Sequence, residues 1–189
     1  MNKPAYASHL LVPAAPFLLT ALYAGIALVP LRADNVPLVI IAVSVPLAAA
    51  LIALSIIDQR TMRLPDAITL PLIAAGPLLD LAFGWDGLMW RVGSAAAGFL
   101  FLFAIAHGYR AWRGRAGLGL GDAKLFAAAG AWLGLEGLPS TMVWASCGAL
   151  VGVLFAVLLG RHVEGSSRIP FGPFLAFGFW MVWLYGPIA

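Results

Sequence analysis

Two aspartates beside long apolar runs are the residues of this sequence best suited to chemistry. Asp58 follows the apolar run of residues 37–57, and Asp122 opens another run inside the glycine-rich residues 117–124. An ionisable residue at the end of a membrane helix is costly, so both are functional candidates. Two carboxylates that share a proton can carry out general acid–base hydrolysis, in which one takes a proton from water and the other donates one.

The ends of the helices predict different roles for the two carboxylates. Asp58 comes at the predicted C-terminus of its helix, where the helix dipole disfavours an anion. Asp122 comes at a predicted N-terminus, where the dipole favours an anion. We therefore expect Asp58 to hold the shared proton and Asp122 to be the base that deprotonates water.

The residues around Asp122 predict a site with an open backbone. Gly119 and Gly121 precede it, and glycine allows both a sharp bend and the close approach of another chain, such as a peptide substrate. The spacing fits neither a dinucleotide fingerprint nor a phosphate-binding loop. Lys124 follows two residues later and either holds the backbone of a substrate, lowers the pKa of a carboxylate, or serves only to orient the chain in the membrane.

Two further stretches are candidates for shaping the site. Asp66 follows Pro65, which marks a helix boundary, so Asp66 either caps the next helix or lines the site. Pro170 and Gly172 lie in a proline- and glycine-rich string at the start of the last apolar run. Irregular backbone at membrane depth needs protein or water beside it, so this string is either a kink or a wall of the cleft.

Composition places these stretches in a helical membrane protein. The 189 residues are 62% hydrophobic and 10% charged, whereas a soluble domain has about 25% charged residues. We predict an all-α polytopic bundle of about seven helices, with six to eight as the range, forming one domain over residues 1–189 in the lipid bilayer. The apolar runs are residues 9–31, 37–57, 67–83, 88–109, 123–135, 140–159 and 171–188. The third and fifth are shorter than the roughly 20 residues of a perpendicular span.

The basic residues predict the orientation of this bundle. If the runs alternate in direction, nine of the 11 lysines and arginines fall on one side, and only Arg32 and Arg91 fall opposite. The positive-inside rule then places the N-terminus, Asp58 and Asp122 on the cytoplasmic side of a bacterial inner membrane. The first run is long for a signal peptide, so we interpret it as a retained anchor.

Other functional classes have little support in the sequence. The single cysteine, Cys147, offers no Cys-x-x-Cys pair and is expected in the core, so no metal, cofactor or nucleic-acid partner is expected. The three histidines lie near termini or joints without a nucleophile elbow. The small-residue pairs Gly130/Gly134 and Gly148/Gly152 favour internal helix packing, with a homodimer seam as the alternative.

Three strings taken together resemble the type IV prepilin peptidases, the A24 family of GxGD aspartic proteases. They are Asp58 with Leu64-Pro65-Asp66 and Thr69, then Gly119-Leu120-Gly121-Asp122-Ala123-Lys124-Leu125, then Ile169-Pro170-Phe171-Gly172-Pro173-Phe174-Leu175-Ala176. The match covers about residues 50–180. The resemblance implies that Asp58 and Asp122 are the catalytic pair. It also implies a substrate, the basic leader of a type IV prepilin or a type II secretion pseudopilin, cut beside its hydrophobic helix.

One departure from the family pattern concerns methylation. Many bacterial relatives have an N-terminal cytoplasmic insert with paired Cys-x-x-Cys motifs, which is associated with N-methylation of the new terminus. Here residues 32–36 join the first two runs without such cysteines. The chain resembles a short, peptidase-only form, and the departure counts against N-methyltransferase activity.

Three alternatives use the same features differently. A small transporter or channel could use the two aspartates as a proton or cation relay, although a relay is expected deeper in the membrane. A general GxGD intramembrane protease would cut inside the substrate's helix. A scaffold without activity is the third alternative.

Overall fold

The described part of the chain is entirely helical in its regular structure. The computed structural model describes residues 22–25, 27, 38–83, 87–114, 118–158 and 170–188, and residues 22–25 and 27 are helical. The bounded helices are α1 (Leu38–Thr61), α2 (Asp66–Phe83), α3 (Leu88–Arg113), α4 (Leu120–Leu133), α5 (Gly137–Leu158) and α6 (Gly172–Tyr185). Six predicted runs are thereby confirmed as helices. Most of the first run, and the basic residues Lys3, Arg32, Arg115, Arg161 and Arg168, lie outside the described residues.

Three of these helices are long and apolar enough to cross a membrane. They are Leu38–Thr61, Leu88–Arg113 and Gly137–Phe155, and the shorter α6 is also apolar. Helices satisfy their own backbone hydrogen bonds, which lipid cannot do for them. The prediction of an all-α, multi-pass membrane protein is confirmed.

Helix α4 is the centre of the bundle. It packs against α2, α3, α5 and α6, and ten of its residues are buried. Close packing is possible because α4 is rich in alanine and because glycines stand where helices touch. Gly130 lies against the backbone of Ser94 in α3, and Gly76 of α2 lies against the backbone of Ala131, with no room for a β-carbon at either glycine. The interpretation of Gly130 as an internal packing position is confirmed.

Polar contacts fix α4 to its neighbours at the end away from the two aspartates. The Arg91 Nε atom of α3 lies 2.7 Å from Asp80 Oδ1 of α2, and Asp80 is almost completely buried. Arg91 also donates to the backbone carbonyl of Trp132 in α4. The Trp132 indole donates to the Leu72 carbonyl at 2.7 Å. This end of the bundle is therefore tied together by an ion pair and two hydrogen bonds.

The expectation of a buried Cys147 is wrong. Its thiol is exposed on the outer surface of α5. Helix α5 is apolar on all sides, since lipid and core both accept apolar side chains. The sequence of such a helix does not mark the side that faces the protein.

Candidate active site

Asp58 lies in the last turn of α1, with its carboxylate turned into the bundle. The helix continues beyond residue 57 to Thr61, and only 6% of Asp58 is exposed. The backbone N–H of Gly172, the first residue of α6, donates to Asp58 Oδ2 at 3.1 Å. Asp58 therefore lies at the C-terminal end of its own helix and at the N-terminal end of α6.

Asp122 is the third residue of α4, and its carboxylate caps that helix. Its Oδ2 atom accepts a hydrogen bond from the backbone N–H of Gly119 at 3.2 Å. This is the half of a capping box in which an acidic side chain reaches back to the N-cap residue. The side chain is nonetheless buried, with 9% of the residue exposed.

The two carboxylates thus share one kind of electrostatic environment, contrary to the expected asymmetry. Each accepts a hydrogen bond from a backbone N–H at the start of a helix, Asp58 from α6 and Asp122 from α4. The positive end of α6 offsets the unfavourable dipole of α1 at Asp58. The order of the elements along the chain predicts that the helix ends make one carboxylate an acid and the other a base. The structure does not show that difference, because both carboxylates lie at the start of a helix.

Burial and mutual repulsion decide the charge of Asp122. Burial, and after it the negative charge of Asp58, raise the pKa of Asp122 from an ordinary 3.8 to about 6, and the hydrogen bond from the Gly119 N–H partly offsets this increase. Two carboxylates close enough to repel each other share one proton. The raised pKa fits a protonated Asp122, and which of the two carboxylates holds the shared proton stays a prediction.

The two aspartates open into one polar cavity of about 250 Å³. Six of the eight predicted site residues line it: Asp58, Asp66, Gly119, Gly121, Asp122 and Lys124. Gly172 holds Asp58 by its hydrogen bond, whereas Pro170 is not among the described residues that line the cavity. The cavity also has four lining residues that the sequence did not predict: Met62, Arg63, Leu64 and Leu120.

An ion pair crosses the mouth of this cavity. Lys124 Nζ of α4 lies 2.5 Å from Asp66 Oδ1 of α2, and both side chains are partly exposed. Asp66 is the first residue of α2, and its carboxylate contacts Lys124 of another helix. This contact supports the interpretation that Asp66 lines the site over the interpretation that it caps α2. The pair joins the two helices on either side of the opening.

Close approach, rather than an unusual backbone angle, explains the glycines at the site. Gly119 has an extended backbone with a φ of −80°, which other residues also adopt. A β-carbon on Gly121 would lie 2.8 Å from the Leu64 β-carbon, and one on Gly172 would lie 2.7 Å from Asp58 Oδ2. Both distances are shorter than β-carbons tolerate. The glycines let α4 and α6 reach the residues around Asp58.

The turn between α1 and α2 carries an unusual backbone angle. Met62 has a φ of 53°, in the left-handed region that non-glycine residues rarely adopt, and its N–H donates to the Asp58 carbonyl at 2.8 Å. The turn brings Arg63 and Leu64 to the cavity. A methionine gives no sequence signal for such a turn, whereas Pro65 does predict the extended residue before it.

Fold and site define a polytopic helical membrane protein in which two buried carboxylates share a cavity. Residues 45–160 match the model of the type IV leader peptidase family, and the chain belongs to this family. Both aspartates lie within the matched residues. No solved structure significantly matches the chain.

Several curated proteins are similar to this chain over most of its length. Three named "Prepilin leader peptidase/N-methyltransferase" illustrate the range. The Aeromonas salmonicida protein is 42% identical over 138 residues, which are 72% of this chain and 46% of that protein. The Burkholderia pseudomallei protein is 47% identical over 133 residues, 70% and 42% respectively. The Neisseria gonorrhoeae protein is 38% identical over 136 residues, 72% and 46% respectively. The chain therefore spans about half the length of the curated relatives it matches.

Proposed function

We propose that this chain is a membrane aspartic endopeptidase that removes the basic leader from type IV prepilins or type II secretion pseudopilins. The observation that carries the proposal is the pair Asp58 and Asp122, buried side by side at one polar cavity, with the pKa of Asp122 raised partly by the charge of its partner. Membership of the type IV leader peptidase family supports the substrate class. No covalent intermediate is needed, because a proton-sharing pair activates water directly.

The proposed reaction begins with water between the carboxylates and the scissile carbonyl. Asp58, the ionised member, takes a proton from water as the hydroxide oxygen attacks the carbonyl carbon. Asp122 donates its proton to the carbonyl oxygen, and a tetrahedral intermediate forms. Asp58 then passes its proton to the leaving nitrogen while the oxygen's proton returns to Asp122, which restores the starting state.

The surroundings of the pair suit an extended peptide. The cavity is open to the end of the bundle that carries Arg60, Arg63, Arg110 and Arg113, which supports a cytoplasmic location for the reaction at the bacterial inner membrane. Gly121 leaves no room for a β-carbon against Leu64, so the backbone of α4 runs close to the turn that carries Leu64 at the cavity. The Asp66–Lys124 pair at the mouth offers a charged contact to a passing chain.

The same proposal assigns peptidase activity without N-methylation. The relatives' names include both activities. This chain has one cysteine, Cys147, and it lies on the outer surface of α5 far along the sequence from the joint at residues 32–36. Mass spectrometry of the processed substrate tests this assignment, since a methyl group on the new N-terminus would contradict it.

Cleavage of a co-expressed prepilin tests the central proposal. Wild type should shorten the substrate on a gel, and Asp58→Asn and Asp122→Asn should each abolish cleavage while inserting normally in the membrane. Asp80→Asn is the matched control, because Asp80 is buried at the other end of the bundle and should retain cleavage per folded molecule.

The outcomes separate the rival functions. Cleavage by either site variant at the wild-type rate contradicts the dyad. A new N-terminus inside the substrate's hydrophobic helix would instead indicate general intramembrane proteolysis. If wild type leaves prepilins intact but drives proton-coupled uptake in vesicles, the relay alternative is correct.

A further inference from the structure

An apolar groove runs along the outside of the bundle between α3 and α5. Its volume is about 660 Å³, and its floor includes Phe126 of α4. One wall includes Phe101 of α3, and the other includes Val143 and Cys147 of α5. We call this surface the α3–α5 groove.

The groove lies where α3 and α5 separate on either side of the central helix α4, whose Phe126 is nevertheless almost fully buried. Helices α3 and α5 both pack on α4 but hardly contact each other. Elsewhere α4 is buried under neighbouring helices along almost its whole length. The wall residues of α5 recur at helical spacing, so the groove runs parallel to the helices. It follows about 14 Å of α5, since nine steps of 1.5 Å separate Leu138 from Cys147.

Helix α4 contributes residues both to the groove and to the aspartate cavity. Phe126 follows Asp122 by four residues, so the two lie on one face of α4, about 6 Å apart along its axis. Beyond the groove, the exposed apolar surface continues toward the same end, with Ile105 one turn past Phe101 and Val151 one turn past Cys147. A rod lying in the groove would present its end to the carboxylates.

We propose that the α3–α5 groove receives the hydrophobic helix of the substrate and thereby sets which peptide bond reaches Asp58 and Asp122. This inference rests on the proposed function, in which the scissile bond lies next to such a helix. A segment in lipid must be helical to satisfy its backbone, and a helix is the rod that this groove fits. Lipid chains are as apolar as leucine, so moving the substrate helix from lipid into the groove gains nothing from the hydrophobic effect. Complementary shape and van der Waals contact would instead stabilise the bound helix.

Filling the groove tests the proposal against a matched control. Val143 lines the groove and is 50% exposed, whereas Val45 of α1 lies outside it and is 66% exposed. In proteoliposomes, Val143→Trp should raise the KM for a full-length prepilin at least tenfold and leave kcat unchanged. Val45→Trp should match wild type in both constants.

The single cysteine allows a direct measurement of the contact. Cys147 lines the groove, so a prepilin with one cysteine placed at successive positions of its hydrophobic helix can be cross-linked to it by oxidation. The Asp122→Asn variant keeps the substrate intact during this measurement. Cross-links should recur with helical spacing on one face of the substrate. The control, Val45→Cys in a Cys147→Ser background, should give none.

Each remaining outcome overturns the inference in a distinguishable way. If wild type cleaves and Val143→Trp has an unchanged KM, the substrate helix binds elsewhere, while the proposed function stands. Equal cross-linking from both cysteine positions shows that substrate and lipid exchange freely over the surface. Disulfides between Cys147 residues of two copies as the main product show that a second copy fills the groove. If wild type cleaves no prepilin, the proposed function itself fails.

Discussion

A single methyl group added at Gly172 is predicted to inactivate the site without unfolding the protein. The β-carbon of Gly172→Ala would lie 2.7 Å from Asp58 Oδ2 and 3.0 Å from its Cγ atom. Ordinary contact begins near 3.4 Å, so the carboxylate must move by about 0.7 Å, the difference between the two distances. The backbone angle at Gly172 is outside the left-handed region, so alanine adopts it without strain.

The displacement sets the size of the expected effect on catalysis. A misplacement of about 1 Å at a reacting group can reduce the rate by roughly 10²-fold. We therefore expect Gly172→Ala to lower kcat by about 10- to 100-fold with little change in KM, because the methyl group moves a catalytic group rather than a binding surface. The assay is the initial rate of prepilin cleavage in proteoliposomes over a range of substrate concentrations.

A second glycine provides the control for the Gly172→Ala variant. Gly108 of α3 has open space around its β position, so Gly108→Ala should cleave at the wild-type rate. Thermal unfolding in detergent verifies that both variants are folded. A folded Gly172→Ala protein with the wild-type kcat would refute the reasoning, because it would show that the position of Asp58 does not control the rate.

Four other outcomes follow from the same geometry. The cleavage rate should fall as pH rises beyond about 6, because Asp122 then loses the proton it donates; a rate that is flat from pH 5 to 8 would contradict this. The folded state binds that proton more tightly than the unfolded state, so the free energy of unfolding falls as pH rises from 3.8 to about 6. Asp122→Asn should therefore be more stable than wild type above pH 6 by up to about 3 kcal/mol, and little different from it below pH 4. Thermal unfolding of both proteins above pH 6 and below pH 4 measures the difference. Met62→Gly should raise stability by about 1 kcal/mol by relieving the left-handed backbone, measured by the unfolding temperature, and no rise would show the turn to be unstrained. Arg91→Leu should destabilise by about 3 kcal/mol, since it leaves Asp80 buried without its cation, and a double variant with Asp80→Leu should recover part of the loss.

The helices were predictable from the sequence because lipid imposes one rule on all of them. Any spanning segment must be apolar and must satisfy its own backbone, so hydropathy alone predicted six of the described helices to within a few residues at most ends. The exposure of Cys147 was not predictable by the same rule, since a helix that faces lipid and core is apolar on both sides.

The site was only partly predictable, because its residues come from elements far apart in the sequence. The glycine-rich approach to Asp122 and the apolar run before Asp58 predicted both carboxylates and four more lining residues of the cavity. The contact between Gly172 and Asp58 joins residues 114 positions apart, and no local pattern indicates which backbone N–H will meet which carboxylate. That contact removes the expected difference between the helix-dipole environments of the two carboxylates, because it places Asp58 at the start of another helix.

The hydrogen bond from Gly172 to Asp58 can form only late in biosynthesis, because its two residues lie 114 positions apart. Both aspartates emerge from the ribosome before α6, so a nascent chain holds the two carboxylates while the residue that fixes one of them is still untranslated. At 5–20 residues per second, the 114 residues between Asp58 and Gly172 take about 6 to 23 s. During that interval Asp58 lacks the hydrogen bond that Gly172 donates in the finished protein. Under the proposed function we therefore expect peptidase activity to arise only once α6 is made, so that an unfinished chain leaves neighbouring membrane proteins intact.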